Sequence, residues 1–108
     1  MTIILVNDKI SLKNYSGIRS YDIPYKDKKP TIDKTCYISE SVDIIGEVII
    51  EENVNIWFGT RIRGDINSIR IGKNSNIQEN SVVHVDHERE VYIGENVTIK
   101  NATVGPNV

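Results

Sequence analysis

The chain has 108 residues, which is enough for one domain. Its formal net charge is −2 and 26% of its residues are charged, as in an ordinary globular protein. This charge gives no electrostatic basis for binding nucleic acid, and no apolar run approaches the roughly 20 residues that span a membrane. Isoleucine and valine dominate the apolar residues, and these β-branched side chains favour strands over helices.

Residues 1–30 are predicted to form an N-terminal cap, with one short strand followed by a polar link rich in lysine and tyrosine that ends at Pro30. The apolar start, MTIILV, lacks the basic region and the cleavage site of a signal peptide, so we interpret it as the cap strand. The single cysteine, Cys36, excludes an internal disulfide and fits a reducing compartment, which predicts a cytoplasmic location.

From Thr31 onward, the apolar residues recur with a period of six in two series. A three-residue insertion interrupts the series before Ile71, and a four-residue insertion covers the polar segment 87–90. The first series is Ile38, Ile44, Ile50, Ile56, Ile62, Ile71, Ile77, Val83, Ile93 and Ile99. The second series lies four residues after the first and comprises Val42, Val48, Val54, Thr60 and Ile66, then Ser75 and Ser81.

A period of six predicts an all-β fold, a single-stranded left-handed parallel β-helix of roughly four turns over residues 31–108. Six residues form one flat face, three faces form a turn, and successive turns stack about 4.8 Å apart. The left hand is inferred from the hexapeptide class, because the general crossover rule favours the right hand. Asparagine and glycine in segments such as 72–76 and 94–96 suit corners, where left-handed backbone angles are needed. An ordinary β-sandwich is the alternative, but alternation with period two does not place five isoleucines six residues apart.

Three polar motifs interrupt the apolar pattern in the middle of the chain: Arg63-Gly64-Asp65, Asn76-Ile77-Gln78 and Val83-His84-Val85-Asp86. In this order and at these spacings they resemble the gamma-class carbonic anhydrase family of hexapeptide-repeat proteins. The resemblance covers roughly residues 31–99. The β-helix itself does not require these motifs, so the match is specific.

The resemblance implies a homotrimer that acts on carbon dioxide and bicarbonate, with each metal held between subunits by three histidines from two chains. His84 matches the first metal ligand. Arg63 and Asp65 match a buried ion pair that supports the interface and the site. Gln78 matches the residue that orients the metal-bound hydroxide or bicarbonate, and Asn76 matches a polar residue that supports it. Zinc or another divalent metal, such as iron or cobalt, would lower the pKa of a bound water to about 7 and so supply hydroxide.

The other two ligands expected from the resemblance are missing. The family continues after a Val-Thr-Ile segment with Gly-His and a further histidine five residues later, where this chain has Lys100, Asn101 and Pro106. The second of its two histidines, His87, lies in a charged loop and is expected to be solvated. Either the site has been altered, or about two faces of sequence are absent after Ile99 and Lys100 begins a later turn. Both interpretations predict an incomplete metal site and a C-terminal part that is truncated or altered after Ile99.

Two other functions remain open, because one fold can support unrelated chemistry. A hexapeptide acyltransferase would use an acyl-CoA and a loop histidine, for which His87 is the candidate, although the short chain argues against it. A non-catalytic trimeric scaffold would need no metal, and the missing histidines favour it.

Overall fold

The computed structural model describes residues 21–106. The predicted cap strand at the start of the chain lies outside these residues. Of the predicted link, residues 21–23 run alongside residues 44–46, since the Ile23 amide donates to the Ile44 carbonyl and the Gly46 amide donates to the Ile23 carbonyl, both at 2.9 Å. Pro30, at the end of the link, is buried.

The described residues form ten strands and no helix. Most strands are two or three residues long, whereas the third and fifth bend around a corner and extend over eight and eleven residues. The strands are β1 (Thr31–Ile32), β2 (Tyr37–Ile38), β3 (Asp43–Ile50), β4 (Asn55–Ile56), β5 (Arg61–Ile71), β6 (Asn76–Ile77), β7 (Val82–His84), β8 (Val91–Ile93), β9 (Thr98–Ile99) and β10 (Thr103–Val104).

Parallel pairing arranges these strands into three faces of a prism. The first face stacks β1, the second halves of β3 and β5, and then β8. The second face stacks β2, β4, β6 and β9. The third face stacks the first halves of β3 and β5, then β7 and β10. Each face therefore has four rungs, which confirms the predicted left-handed parallel β-helix of about four turns.

The core of the prism is the predicted isoleucine ladder. Along the strands, side chains alternate between the interior and the surface, as expected for a pleated backbone. Thr60, Ser75 and Ser81, the small polar members of the second series, are fully buried, and each hydroxyl donates to a backbone carbonyl, which offsets the loss of water. The buried ladder residues are Ile38, Ile44, Ile50, Ile56, Ile62, Ile71, Ile77, Val83 and Ile93.

Asparagines form the corners, as predicted. Between the first and second faces, Asn53, Asn74 and Asn96 stack on successive turns with φ of 58°, 65° and 60°. Between the second and third faces, Asn80 has a φ of 59° and Asn101 a φ of 43°. Asparagine tolerates this left-handed region better than other side chains because its short polar side chain can hydrogen-bond locally.

The prediction that Ile66 belongs to the second series was wrong. Gly64 pairs with Gly46 and Ile69 pairs with Val48, so the three extra residues lie between Gly64 and Ile69. Ile66 is consequently 41% exposed, while Ile69 is 1% exposed and occupies the core position. The period alone could not place the insertion, because isoleucine stands at both candidate positions.

After Ile99 the chain continues directly into the next rung of the third face. Thr103 pairs with Val82 and Val104 pairs with Val83. The corner that precedes this rung is one residue shorter than the corner below it, since Val104 follows Ile99 by five residues and Val83 follows Ile77 by six. In the stretch from residue 21 to residue 106, no helix is long and apolar enough to cross a membrane.

Candidate functional site

The five predicted site residues lie on two adjacent faces of the prism. Arg63 and His84 are direct neighbours on the third face, in β5 and β7, and Asp65 follows Arg63 along β5. Asn76 and Gln78 lie on the second face, at β6 and just after it. No hydrogen bond or ion pair joins the two groups within the described part of the chain.

Arg63 and Asp65 form an ion pair, with 3.6 Å between Nη1 and Oδ2, where the resemblance implies a buried pair. Asp65 is further held by the Ile66 amide, which donates to Oδ1 at 2.8 Å. The Arg63 side chain is 51% exposed in a single chain, so this pair contributes only about 0–1 kcal/mol to the stability of the subunit. Its guanidinium is accessible at the surface of the third face.

His84 lies between Arg63 on one rung and Gly105 on the next. A Cβ built on Gly105 would come within 2.7 Å of His84 Cε1 and 2.8 Å of Nε2, so the imidazole lies directly against the glycine backbone. In residues 21–106 the ring makes no hydrogen bond or ion pair, and no group of three or more His, Cys, Asp or Glu side chains could hold a metal ion. The residues present therefore do not fit the three-histidine metal site that the resemblance implies.

The positions where the resemblance places the other two ligands, if no faces are absent after Ile99, are occupied by residues unsuited to that role. Asn101 forms an exposed corner between the second and third faces, and an amide oxygen is a poor zinc ligand. Pro106 follows Gly105 and has no donor atom in its side chain. His87 is exposed, as expected, in the loop between β7 and β8.

The loop that carries His87 is organised by Asp86. The Arg89 guanidinium donates to Asp86 Oδ2 at 2.7 Å, and the Glu88 and Arg89 amides donate to Oδ1 at 3.0 Å and 2.8 Å. These contacts, the side-chain bond from Arg89 foremost, lower the pKa of Asp86. The loop is also tied to β5, where Asn67 Nδ2 donates to the Asp86 and His87 carbonyls at 3.3 Å and 3.4 Å.

On the second face, Asn76 and Gln78 belong to a chain of side-chain hydrogen bonds. Gln78 Nε2 donates to Asn76 Oδ1 at 2.8 Å, and Asn76 Nδ2 donates to Asn55 Oδ1 on the rung before. Trp57 Nε1 donates to the same Asn55 oxygen at 2.8 Å. The indole is packed against Tyr37, with 4.9 Å between ring centroids.

The sequence interpretation did not identify Asn55 and Trp57 as site residues. Asn55 pairs with Asn76, and the Trp57 amide donates to the Ile77 carbonyl, so Asn55-Ile56-Trp57 repeats Asn76-Ile77-Gln78 one turn earlier. A search for polar side chains at equivalent positions of successive turns would have found the pair.

Cys36 is unsuited to nucleophilic chemistry. Its Sγ donates to the Glu51 carbonyl at 3.0 Å, and burial raises the pKa of the thiol to about 11. Thiolate is therefore scarce at neutral pH.

Comparison with known proteins supports the resemblance, although no family model matches the chain. It is 39% identical over 84 residues to gamma carbonic anhydrase 1, mitochondrial, of Arabidopsis thaliana, covering 72% of this chain and 30% of the relative. It is 40% identical over 81 residues to the carbonic anhydrase of Geobacillus kaustophilus, covering 75% and 44%. It is 39% identical over 90 residues to the uncharacterized transferase YtoA of Bacillus subtilis, covering 78% and 53%.

A solved structure shows the same architecture. The crystal structure of a hexapeptide transferase family protein from Anaplasma phagocytophilum superposes with a TM-score of 0.76 at 38% identity, covering 82% of this chain and 52% of that one. The chain thus spans between about a third and about a half of the length of these relatives. It is a hexapeptide-repeat β-helix protein related to the gamma-class carbonic anhydrases, as its central motifs predicted.

Proposed function

We propose that this chain is a gamma-carbonic-anhydrase-like subunit whose site is built for carbon dioxide and bicarbonate. It forms a homotrimer through the third face and is inactive in carbon dioxide hydration without a further source of metal ligands. Because the single cysteine, Cys36, fits a reducing compartment, we place the protein in the cytoplasm.

The single observation that carries this proposal is the isolation of His84. A three-histidine site between two subunits needs at least two ligand histidines from one of them. Each chain has two histidines, and His87 is exposed in the loop that Asp86 organises. Gly105, the rung neighbour of His84, offers no ligand in place of the missing histidines.

In this proposal, the chain's own residues bind and orient a small oxyanion. The Arg63 guanidinium supplies positive charge on the third face, and Asp65 holds it in place. Gln78, held by Asn76, offers an amide on the neighbouring face. Metal-assisted formation of hydroxide would need histidine ligands that these residues do not supply.

The direct test is metal content together with carbon dioxide hydration. The purified protein is loaded with Zn²⁺ or Co²⁺, freed of excess metal and assayed by mass spectrometry and stopped-flow. We expect well below about 0.3 tightly held ions per chain and no rate above buffer, because a lone histidine gives weak binding. The Geobacillus kaustophilus carbonic anhydrase serves as the positive control. One bound ion per subunit with measurable hydration would contradict the proposal.

Trimer formation through the third face predicts an effect of Arg63→Ala on assembly. Removing this guanidinium should raise the trimer dissociation constant about tenfold or more, since a charged contact across an interface is lost. Sedimentation velocity over a range of concentrations measures the shift. Arg70→Ala is the matched control, because Arg70 is equally exposed and is paired with Glu51 at 2.7 Å on the first face. Sedimentation of Arg63→Ala identical to that of the unmodified chain would count against the proposed interface.

The transferase names of two relatives favour a second candidate, an acyltransferase that uses an acyl-CoA. Its only loop histidine in the described residues, His87, stands in a loop closed by Asp86 and Arg89. A rise in melting temperature with coenzyme A would support this candidate over the first.

A further inference from the structure

The hydrogen-bond chain on the second face has a direction that one residue determines. It runs from Trp57 through Asn55 and Asn76 to Gln78 across two successive rungs. Three of its four members are amides, whose oxygen and nitrogen ends have nearly the same size. Either end of an amide can face a neighbour, and the partners decide which one does.

The indole of Trp57 breaks this symmetry because its Nε1 can only donate. Asn55 must therefore turn its oxygen towards the indole, and the same oxygen accepts from Asn76 Nδ2. Asn76 is left with its oxygen towards Gln78 and accepts from Gln78 Nε2. Each amide is thus oriented by the residue before it.

The hydrogen-bond chain ends on the side-chain carbonyl group of Gln78. The Gln78 nitrogen is engaged, while its Oε1 has no hydrogen-bond partner among the residues that the structure describes. Gln78 is half-buried at the surface of the second face, where a small molecule can reach it. The Trp57 ring that sets the direction is itself held against Tyr37 at 4.9 Å, so the donor at the start of the chain is fixed.

We propose that Trp57 is a positioning residue which, through Asn55 and Asn76, makes Gln78 present its carbonyl oxygen to the ligand. The ligand class that this selects carries an O–H or N–H donor. Bicarbonate has one O–H, whereas nitrate has the same charge and planar shape and no donor. The choice of bicarbonate rests on the proposed function, but the direction of the hydrogen-bond chain does not.

The first part of the test reads the orientation of Gln78 without any ligand. In the unmodified protein, the Gln78 side-chain amide should give one pair of NMR signals, with a proton protected from exchange by Asn76. Trp57→Phe keeps a ring against Tyr37 and removes the donor, so the three amides can reverse together. We expect the Gln78 signals to shift and the protection to fall at least about twofold, as two orientations become populated.

A second substitution distinguishes direction from packing. In the double variant Trp57→Phe, Asn55→Asp, position 55 has only acceptor oxygens, so Asn76 must again donate to it and Gln78 returns to its original orientation. Recovery of the original Gln78 signals is expected. The matched control is Phe58→Leu, which alters the exposed neighbour of Trp57 and should leave the Gln78 signals in place. Unchanged signals in Trp57→Phe, or no recovery in the double variant, would overturn the positioning role.

The second part of the test titrates bicarbonate and nitrate separately while following the Gln78 amide. The unmodified protein should respond to bicarbonate at concentrations about fivefold lower than to nitrate, the factor that one hydrogen bond worth about 1 kcal/mol supplies. In Trp57→Phe this preference should fall, because the reversed Gln78 presents N–H groups that nitrate accepts. Equal responses to both anions in the unmodified protein would overturn the donor selection. No response to either would overturn bicarbonate as the ligand and with it the proposed function, while the amide signals would still decide the role of Trp57.

Discussion

Ile69→Ala is expected to destabilise the protein by about 2–5 kcal/mol, whereas Ile66→Ala should cost less than about 1 kcal/mol. Both changes remove the same atoms, three residues apart on the same strand. Ile69 is 1% exposed and occupies the core position beside Val48, while Ile66 is 41% exposed in the inserted segment. Only the first substitution opens a cavity.

Chemical denaturation of the two variants in parallel measures their free energies of unfolding. The comparison assumes that this free energy falls with denaturant concentration at the same slope in both variants. The Ile66 variant is the matched control for the loss of an isoleucine. If both variants lost similar stability, the insertion would have to begin after Ile66, and the pairing of Val48 with Ile69 would be incorrect.

Gly46→Ala is expected to be at least as disruptive, with a loss of about 3 kcal/mol or more. Gly46 has a φ of 80°, where a side chain costs about 1–2 kcal/mol. A Cβ at this position would also overlap the Gly64 carbonyl oxygen of the next turn and lie 2.8 Å from its carbon. Both are backbone atoms of a stacked rung, so neither can move aside without disturbing the pairing of β3 with β5.

Gly94→Ala provides the comparison for Gly46→Ala. A Cβ at Gly94 meets no heavy atom within 4 Å, and the φ of this residue lies outside the left-handed region. We expect a change within about 0.5 kcal/mol, as for an ordinary surface substitution. Thermal unfolding followed by circular dichroism would separate the two variants. If the Gly46→Ala protein had the same melting temperature as the Gly94→Ala protein, the tight corner between the third and first faces would be ruled out.

The candidate site was only partly accessible to sequence reasoning. The motifs identified Arg63, Asp65 and His84, and the structure makes the first two an ion pair and the first and third rung neighbours. The contact of Arg63 with His84 follows from a regular repeat, since residues separated by one turn must stack, whereas Arg63 and Asp65 lie two residues apart on one strand. The roles of these residues in binding stay proposals, as do those of Asn76 and Gln78.

Asn55 and Trp57 were missed because their importance depends on contacts made between turns. Trp57 read alone is an aromatic residue on a β-helix face, for which packing is the usual role. Its donor function becomes visible only when Asn55 is placed beside Asn76 and both amides are given a direction. The isolation of His84 likewise depends on which residue occupies the next rung, and that residue is Gly105.

The six-residue ladder by itself determined the β-helix, its turn count and the asparagine corners of this protein. A buried ladder residue must stack on its equivalent in the next turn, so its spacing in the sequence directly reflects the geometry of the fold. Only the tertiary structure decided where the insertion after Gly64 begins, and therefore that Ile69 is buried and Ile66 is not. The structure also decided the direction of the hydrogen-bond chain from Trp57 to Gln78. Both depend on which atoms meet across neighbouring turns, and the period of the sequence does not encode those contacts.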